Sequence, residues 1–442
     1  MNSPSKSAQA SVAAQGSQDS QDPQSAASLR AHRLFDELRA GSLDPVSGGV
    51  CRDTYGEGEA FAHRLVQQHA NELGLNVEHD HLCNTFMRWS GTDPSLPAIV
   101  IGSHLDSVPA GGNFDGAAGV VAGLVAIDLL QRQGVKLERD VVVMGIRAEE
   151  SIWFEHSYIG SRGALGVLNP DVLNNRRIDT GKTLAEHLSA AGGDVQAVAN
   201  KQASLRREAI EAFFEVHIEQ APSLAADGYA IAVGTAIPGN FRYASVKIKG
   251  EYGHVGLPRR FRRDAALAGA RIFTMLDDLW QQCDAQGKPM AFTIGKFYTD
   301  ASRHGLTIVP GEFGFSLDLR AYEPKFLSEL EARFLEIVQQ VQAQCGVTID
   351  LGPRASAPVA LADTGLCDAL RASARVLSIE CPDLLSPASH DSAAFCSAGV
   401  PFGFVFIRNP KGSHHPQEDM ALPDFMAATT VLANTLASRY GA

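Results

Sequence analysis

Several features that mark whole protein classes are missing from this sequence. No apolar run in its 442 residues approaches the roughly 20 needed to span a bilayer. The N-terminus lacks the apolar core of a signal peptide, so no membrane partner is expected. Positive charge is in deficit, with 38 Lys and Arg against 50 Asp and Glu and a formal net charge of −12. A surface that acidic repels nucleic acid and anionic lipid. The seven cysteines (51, 83, 283, 345, 367, 381 and 396) contain no C-x-x-C pair. An odd, dispersed set argues against a disulfide framework and for a reducing compartment, which points to the cytoplasm. A G-x-G-x-x-G after a strand, a P-loop, a G-x-S-x-G elbow and an H-E-x-x-H helix are all absent. No internal repeat is evident.

What is present reads as a two-part α/β chain. Residues 1–27 are rich in Ser, Gln, Ala and Asp and are expected to be disordered. Four apolar runs predict buried strands: Ala98–Gly102, Val141–Ile146, Ala212–Val216 and Phe402–Ile407. Helical patterns separate several of them, Gly119–Gln133 most clearly. Unbroken apolar strands alternating with helices indicate a sheet covered on both faces. The rhythm changes between about Gly234 and Leu351. Strand patterns at Tyr243–Lys249, Ala291–Phe297, Gly311–Leu319 and Val347–Leu351 alternate with helices at Ala265–Leu279 and Pro324–Gln344. That β-α-β-β-α-β order predicts a ferredoxin-like sandwich inserted into the first domain. The expected organisation is therefore a tail over 1–27, a first domain over 28–233 and 352–442, and an insert over 234–351.

The chemistry gathers where the apolar runs end. They lead into Gly102-Ser103-His104-Leu105-Asp106, Arg147-Ala148-Glu149-Glu150, His217-Ile218-Glu219-Gln220 and, a few residues on, Gly412-Ser413-His414-His415-Pro416. The carboxyl ends of strands in an open α/β sheet form its ligand crevice, so these four ends predict one site. Residues i and i+2 on a strand point the same way, so Asp106 is expected to accept a hydrogen bond from His104 and fix its tautomer, as metal-bound histidines require. Asp115 lies in Gly111-Gly112-Asn113-Phe114-Asp115-Gly116, where backbone freedom allows close approach to a cation. Glu149 and Glu150 face opposite ways, so one can bind metal while the other faces substrate. Individually, a turn aspartate, a solvated Glu pair, a core histidine or a loop His pair would each be unremarkable in that position. Together they predict a metal site.

The residues also resemble a known group. GSHLDSVPAGGNFDG, AEESIWF, GSRGALG, EVHIEQAPSL, GEYGHVG, FRRDA, VPGEFGFSLDLR, SHDSAAF and SHHPQED occur in the order found in certain zinc-dependent amidases. These are the relatives of N-carbamoyl-L-amino-acid hydrolase, allantoate amidohydrolase and β-ureidopropionase, within the aminoacylase and carboxypeptidase metallopeptidase superfamily. The resemblance runs from about residue 45 to the C-terminus. It implies two metal shells bridged by Asp115 and completed by His104, Glu150, His217 and His414, with His104 and Glu150 on different ions. It makes Glu149 the general base, Asp106 a catalytic residue beside it, and His415 a neighbour. Gln220, His254, Arg320 and His390 match substrate-pocket positions, and the histidine corresponding to His254 reaches across a dimer in related enzymes. Many relatives carry Asn where Thr307 stands, which leaves the substrate side chain open.

The expectation is a homodimeric hydrolase carrying two divalent ions per subunit, Zn²⁺ first, with Mn²⁺ or Co²⁺ also suited to this donor set. Its substrate would be a small carboxylate, foremost an N-carbamoyl-L-amino acid. The rivals are a dipeptidase or N-acyl amino acid hydrolase, an allantoate-type amidohydrolase, and a metal-containing binding protein without turnover.

Overall fold

A computed structural model describes residues 22–442. The expected disorder over residues 1–21 lies outside the described residues, but helix α1 (Pro23–Ser42) already covers the end of the expected tail. Asp22 caps it by accepting the Ser25 amide, and proline opens its first turn, where no amide partner is lost. Ala27, Ala31, Leu34, Phe35 and Leu38 are buried. The small alanines, which read as low complexity, form part of a packed helix face.

Helix α2 (Glu57–Glu72) precedes strands β1 (Asn76–His79), β2 (Thr85–Trp89) and β3 (Ala98–His104). Helix α3 (Ala117–Arg132) leads to β4 (Val141–Ile146), and β5 (Ile210–Ile218) and β6 (Ile231–Ile237) follow. Next come β7 (Gly239–Lys249), β8 (Gly253–His254), α4 (Ala265–Ala285), β9 (Met290–Thr293), β10 (Phe297–Thr299) and β11 (Ile308–Val309). They are succeeded by β12 (Glu312–Ala321), α5 (Pro324–Cys345), β13 (Thr348–Asp350) and β14 (Arg354–Ala357). The chain closes with β15 (Ala360–Leu361), α6 (Thr364–Val376), β16 (Asp383–Leu385), β17 (Phe402–Ile407) and α7 (Leu422–Tyr440). Two compact units result, one of described residues up to Thr235 with Leu361–Ala442, the other Ala236–Ala360.

The first unit is α/β. Its mixed sheet has the order β1-β2-β4-β3-β5-β17-β6-β15, with β16 on β6. The central strands β4, β3, β5 and β17 run parallel. Register sets His104 beside Ile146, and Ile218 beside Ile407, so the strands end along one edge. This alignment brings chemistry from distant parts of the sequence together. Apolar residues fill both faces of these strands, and α3 is buried almost all round. A helix covered on every side has little amphipathic periodicity.

In the second unit a sheet of order β10-β12-β7-β13, with β9 on β12 and β14 on β7, shares a core with α4 and α5. Phe241, Val246, Ile248, Ile272, Leu276, Phe315, Leu319 and Phe334 belong to that core. Two details differ from expectation. The single strand expected over Ala291–Phe297 is two, because β9 and β10 pair with different stretches of β12 (Thr293 with Asp318, Phe297 with Phe315). The unit also continues past Leu351 to Ala360, because β14 adds to β7 through Arg354 opposite Tyr243. Among the described residues no helix is long and apolar enough to cross a membrane.

Candidate metal centre

Three groups of donor atoms form on the first unit, each with its atoms within 4.8 Å of one another. One joins His104 at the end of β3, Asp115 just before α3 and His217 in β5. A second joins the same Asp115 to Glu150, beyond β4, and to His414, in the loop after β17. The third joins His104 to Glu149 and Glu150. The first two share only Asp115, one oxygen toward each: Oδ1 lies 3.1 Å from His217 Nε2, and Oδ2 lies 3.4 Å from His414 Nε2. Glu150 Oε1 is 3.4 Å from the same His414 nitrogen.

Hydrogen bonding shows that this donor set fits a cation. His217 Nδ1 lies 2.9 Å from the Ile218 carbonyl, which can only accept. His217 Nε2 accepts from the Gly116 amide at 3.1 Å, so it presents a lone pair. His104 Nδ1 likewise lies 2.9 Å from the Asp106 main-chain carbonyl, and its Nε2 is 3.5 Å from Asp115 Oδ1. That Oδ1 is buried and, among the described residues, has no hydrogen-bond partner. Lone pairs therefore converge there, and a buried polar atom without a partner is costly. Either an extra proton on the rings or a divalent cation resolves the arrangement. The described residues thus hold a cluster suited to metal.

The field of the site points the same way. Burial works against a charged His104, yet Asp106 and Asp115 carry its pKa well above the usual histidine value. The hydrogen bond to Asp115 lifts His414 to about 9. Burial opposes ionisation of Asp115, but its histidine partners hold its pKa well below the carboxylate range. Burial, helped by Asp115, lifts Glu150 to about 7, and burial, reinforced by Glu150, raises Glu149 well above the usual carboxylate value. A pocket that draws positive charge onto histidines and protons onto glutamates is short of cations.

Backbone geometry aims these groups. Gly116 has φ +66°, and a Cβ there would stand 2.5 Å from the His104 ring. Only glycine meets both demands. Ala148 is left-handed at φ +58°, as is His414 at +66°, conformations that need surrounding support in a non-glycine residue. Asp106 supplies part of it. Its carboxylate accepts the Glu149 and Glu150 amides, each at 3.1 Å, and the Thr54 hydroxyl at 2.6 Å. The expected pairing with the His104 ring is present but long, at 3.5 Å from Nδ1, and the carboxylate holds these other donors besides. The imidazole bonds the Asp106 carbonyl because the chain turns there and the side chain faces the β4 loop.

Sequence reading missed three buried charges. Glu418 accepts the Phe114 and Asp115 amides and the Ser413 hydroxyl, and Ser413 also donates to Asp115. It stands inside SHHPQED, so the motif itself carried that signal. Arg52, fully buried, holds the Leu105 carbonyl through Nε at 2.8 Å and lies 3.4 Å from the Asp115 carbonyl. Glu59, also fully buried, bonds Arg147. No local pattern marks either residue.

The expected substrate residues are distributed differently. Gln220 reaches the cluster, with Nε2 2.9 Å from Asp115 Oδ2. His390, expected to line a pocket, is only 2% exposed. Its ring packs 4.3 Å from that of His217, and Nε2 meets Ser386 Oγ at 3.0 Å. The same ring also packs against Phe404 and Phe406, so it lies beside the cluster. His254 and Arg320 belong to the second unit. His254 is exposed on β8 opposite Ile308, and Arg320 on β12 donates through Nε to Asp318 at 2.8 Å. His415 is occupied with the Lys411 carbonyl at 2.9 Å.

Known proteins share both sequence and fold with this chain. The description "Peptidase family M20/M25/M40" matches residues 100–438. The N-carbamoyl-L-amino-acid amidohydrolase of Paenarthrobacter aurescens is 34% identical over 414 residues, covering 92% of this chain and 97% of the relative. The allantoate amidohydrolase of Escherichia coli is 30% identical over 406 residues, covering 90% and 94%. The solved structure of a hydantoinase/carbamoylase family amidase from Burkholderia multivorans has a TM-score of 0.82 at 28% identity, covering 93% of this chain and 98% of that one.

Proposed function

This chain belongs to peptidase family M20/M25/M40, and on that footing we propose that it is a dinuclear metal-dependent amidohydrolase of N-carbamoyl-L-amino acids. The observation that carries the reading is the pair of donor groups meeting at Asp115, with buried Glu149 beside them. His104, His217 and Asp115 would hold one cation, and Asp115, Glu150 and His414 the other. Such a pair supplies Lewis acidity, lowering the pKa of a water and polarising the scissile carbonyl. Zn²⁺ is the first choice, and Mn²⁺ or Co²⁺ also suits histidine and carboxylate donors.

The protein's own groups do the rest. Glu149 takes the proton as a water oxygen bonds to the carbamoyl carbon, then delivers it to the departing nitrogen as the C–N bond breaks. A carboxyl whose affinity for protons is raised by burial is suited to both halves of that transfer. Asp106 acts by fixing the backbone of Glu149 and Glu150. The Arg320 fork matches the planar geometry of a substrate carboxylate. His254, supplied by a second subunit, donates to the developing oxyanion. The products are an amino acid and carbamate, which decays to ammonia and carbon dioxide. Seven free cysteines and the acidic composition support a cytoplasmic enzyme.

A substrate panel tests this reading. Metal-loaded protein is assayed for ammonia release from N-carbamoyl amino acids and ureido acids such as allantoate. The same protein is assayed for amino acid release from dipeptides and N-acetyl amino acids. Carbamoyl substrates should give the highest kcat/KM. Preference for dipeptides or acetyl compounds would make the chain a peptidase or acylase, and no turnover on any substrate would make it a binding protein.

A further inference from the structure

Three successive amides after β4 are held by two buried carboxylates. The Ala148 amide donates to Glu59 Oε1 at 3.0 Å, and the Glu149 and Glu150 amides donate to the two oxygens of Asp106. The other Glu59 oxygen, Oε2, accepts from the Tyr55 amide and from Arg147 Nη1, both at 2.7 Å. Arg147 is held in turn, with Nε on the Cys83 carbonyl at 2.8 Å and its amide on Asn84 Oδ1 at 2.9 Å. Glu59 and Asp106 are both fully buried. Residues 54 and 55 brace both acids, because Thr54 binds Asp106 while Tyr55 binds Glu59. Between the two acids the chain passes through left-handed Ala148.

We propose that Glu59 is a positioning residue for Glu149: it holds the left-handed turn at Ala148 that aims the Glu149 carboxyl. The proposal rests on reading Glu149 as the proton carrier. A left-handed non-glycine residue persists only where its surroundings over-determine it. Here the Glu59–Ala148 hydrogen bond is the side-chain contact made by that residue's own amide, and losing it frees the turn to relax toward the right-handed region. Among the described residues Glu59 hydrogen-bonds the Tyr55 and Ala148 amides and Arg147 but no metal-cluster side chain, so it reaches Glu149 through the Ala148 backbone and through its charge beside Asp106. The bonding pattern also makes glutamate hard to replace. Both oxygens face donors, so glutamine would turn its NH₂ against either the Ala148 amide or the Tyr55 and Arg147 donors.

The test is Glu59→Gln in the full-length, metal-loaded protein, with hydrogen exchange of residues 147–151 and steady-state kinetics read side by side. Exchange at Ala148–Glu150 should rise at least about tenfold while α3 keeps its protection. Metal content should stay at two ions per chain, kcat should fall about 10- to 100-fold and KM should stay within about threefold, as for a misaimed proton carrier. A merely structural role would instead lower the melting temperature or metal content and leave kcat per loaded chain unchanged, which overturns the proposal. Unchanged exchange at Ala148–Glu150 in a folded variant overturns it as well. Should Glu59→Gln fail to fold, Glu59→Asp keeps the charge and withdraws the oxygens by one methylene, and the same readings apply. If the unaltered protein is inert toward every carbamoyl and ureido acid, the functional reading fails, and the exchange result alone decides whether Glu59 holds the turn.

Discussion

Glu149 and Glu150 are adjacent, both buried, and both hang from Asp106 by their amides, so replacing one carboxylate at a time separates what each does. Glu150 shares a donor group with Asp115 and His414, whereas Glu149 joins only His104 and Glu150. Glu149→Gln should therefore keep fold and two metal ions while losing on the order of 10²- to 10⁴-fold in turnover, the usual worth of a positioned proton carrier. Glu150→Gln should lose metal first and activity as a consequence. Elemental analysis alongside turnover checks both, and an exchange of behaviours would reverse the assignment within the pair.

At the scale of elements, α3 begins at Gly116, whose amide binds His217 and whose missing Cβ leaves room for His104. Gly116→Ala should destabilise the protein by about 1–3 kcal/mol through its positive φ. It should also weaken metal binding more than tenfold (estimated as ~1.4 kcal/mol of lost ligand alignment), read by calorimetric metal titration. Equal metal affinity would show that the His104 ring has room to move aside. Helix α2 offers a second handle through His63. Its Nδ1 meets Thr85 Oγ on β2 at 2.7 Å, and its Nε2 is buried without a partner among the described residues. Burial, with Arg147 nearby, keeps its pKa well below the ordinary value. The folded ring is therefore neutral while the unfolded one binds a proton near pH 6.5. The stability tied to that neutrality is complete above about pH 6.5 and falls as the pH drops below it, by at most about 1.4 kcal/mol per unit. Thermal melts from about pH 7 to 5 should fall less steeply for His63→Leu than for the unaltered chain. Parallel slopes would mean that His63 is not among the groups that set acid sensitivity.

For the whole molecule, every candidate metal residue lies in the first unit, whereas His254 and Arg320 lie in the second. The proposed homodimer has His254 of one subunit serving the site of the other. His254→Ala and Glu149→Gln should each be nearly inactive. Mixed under subunit exchange they should regain activity, because one site of the heterodimer pairs an intact Glu149 with an intact donated histidine. Complementation assays with sizing chromatography check this. No recovery on mixing, or a fully active monomer, would end the shared-site idea.

The sequence by itself determined that His104, Asp115, Glu149, Glu150, His217 and His414 belong together, because apolar strands announce themselves and the residues at their ends are read directly. It also determined that a second α+β unit interrupts the first, since a change of rhythm is a local signal. Tertiary structure alone decided which oxygen faces which ring, that Asp106 holds the β4 loop as well as facing the His104 imidazole, and that His390 packs against His217. It alone revealed Arg52 and Glu59. Each of these depends on which donor lies nearest once distant segments meet. A buried charge from a helix or loop has no spacing rule to mark it: the Leu105 carbonyl held by Arg52, and the Arg147 and Ala148 donors to Glu59, lie more than fifty residues away in the chain.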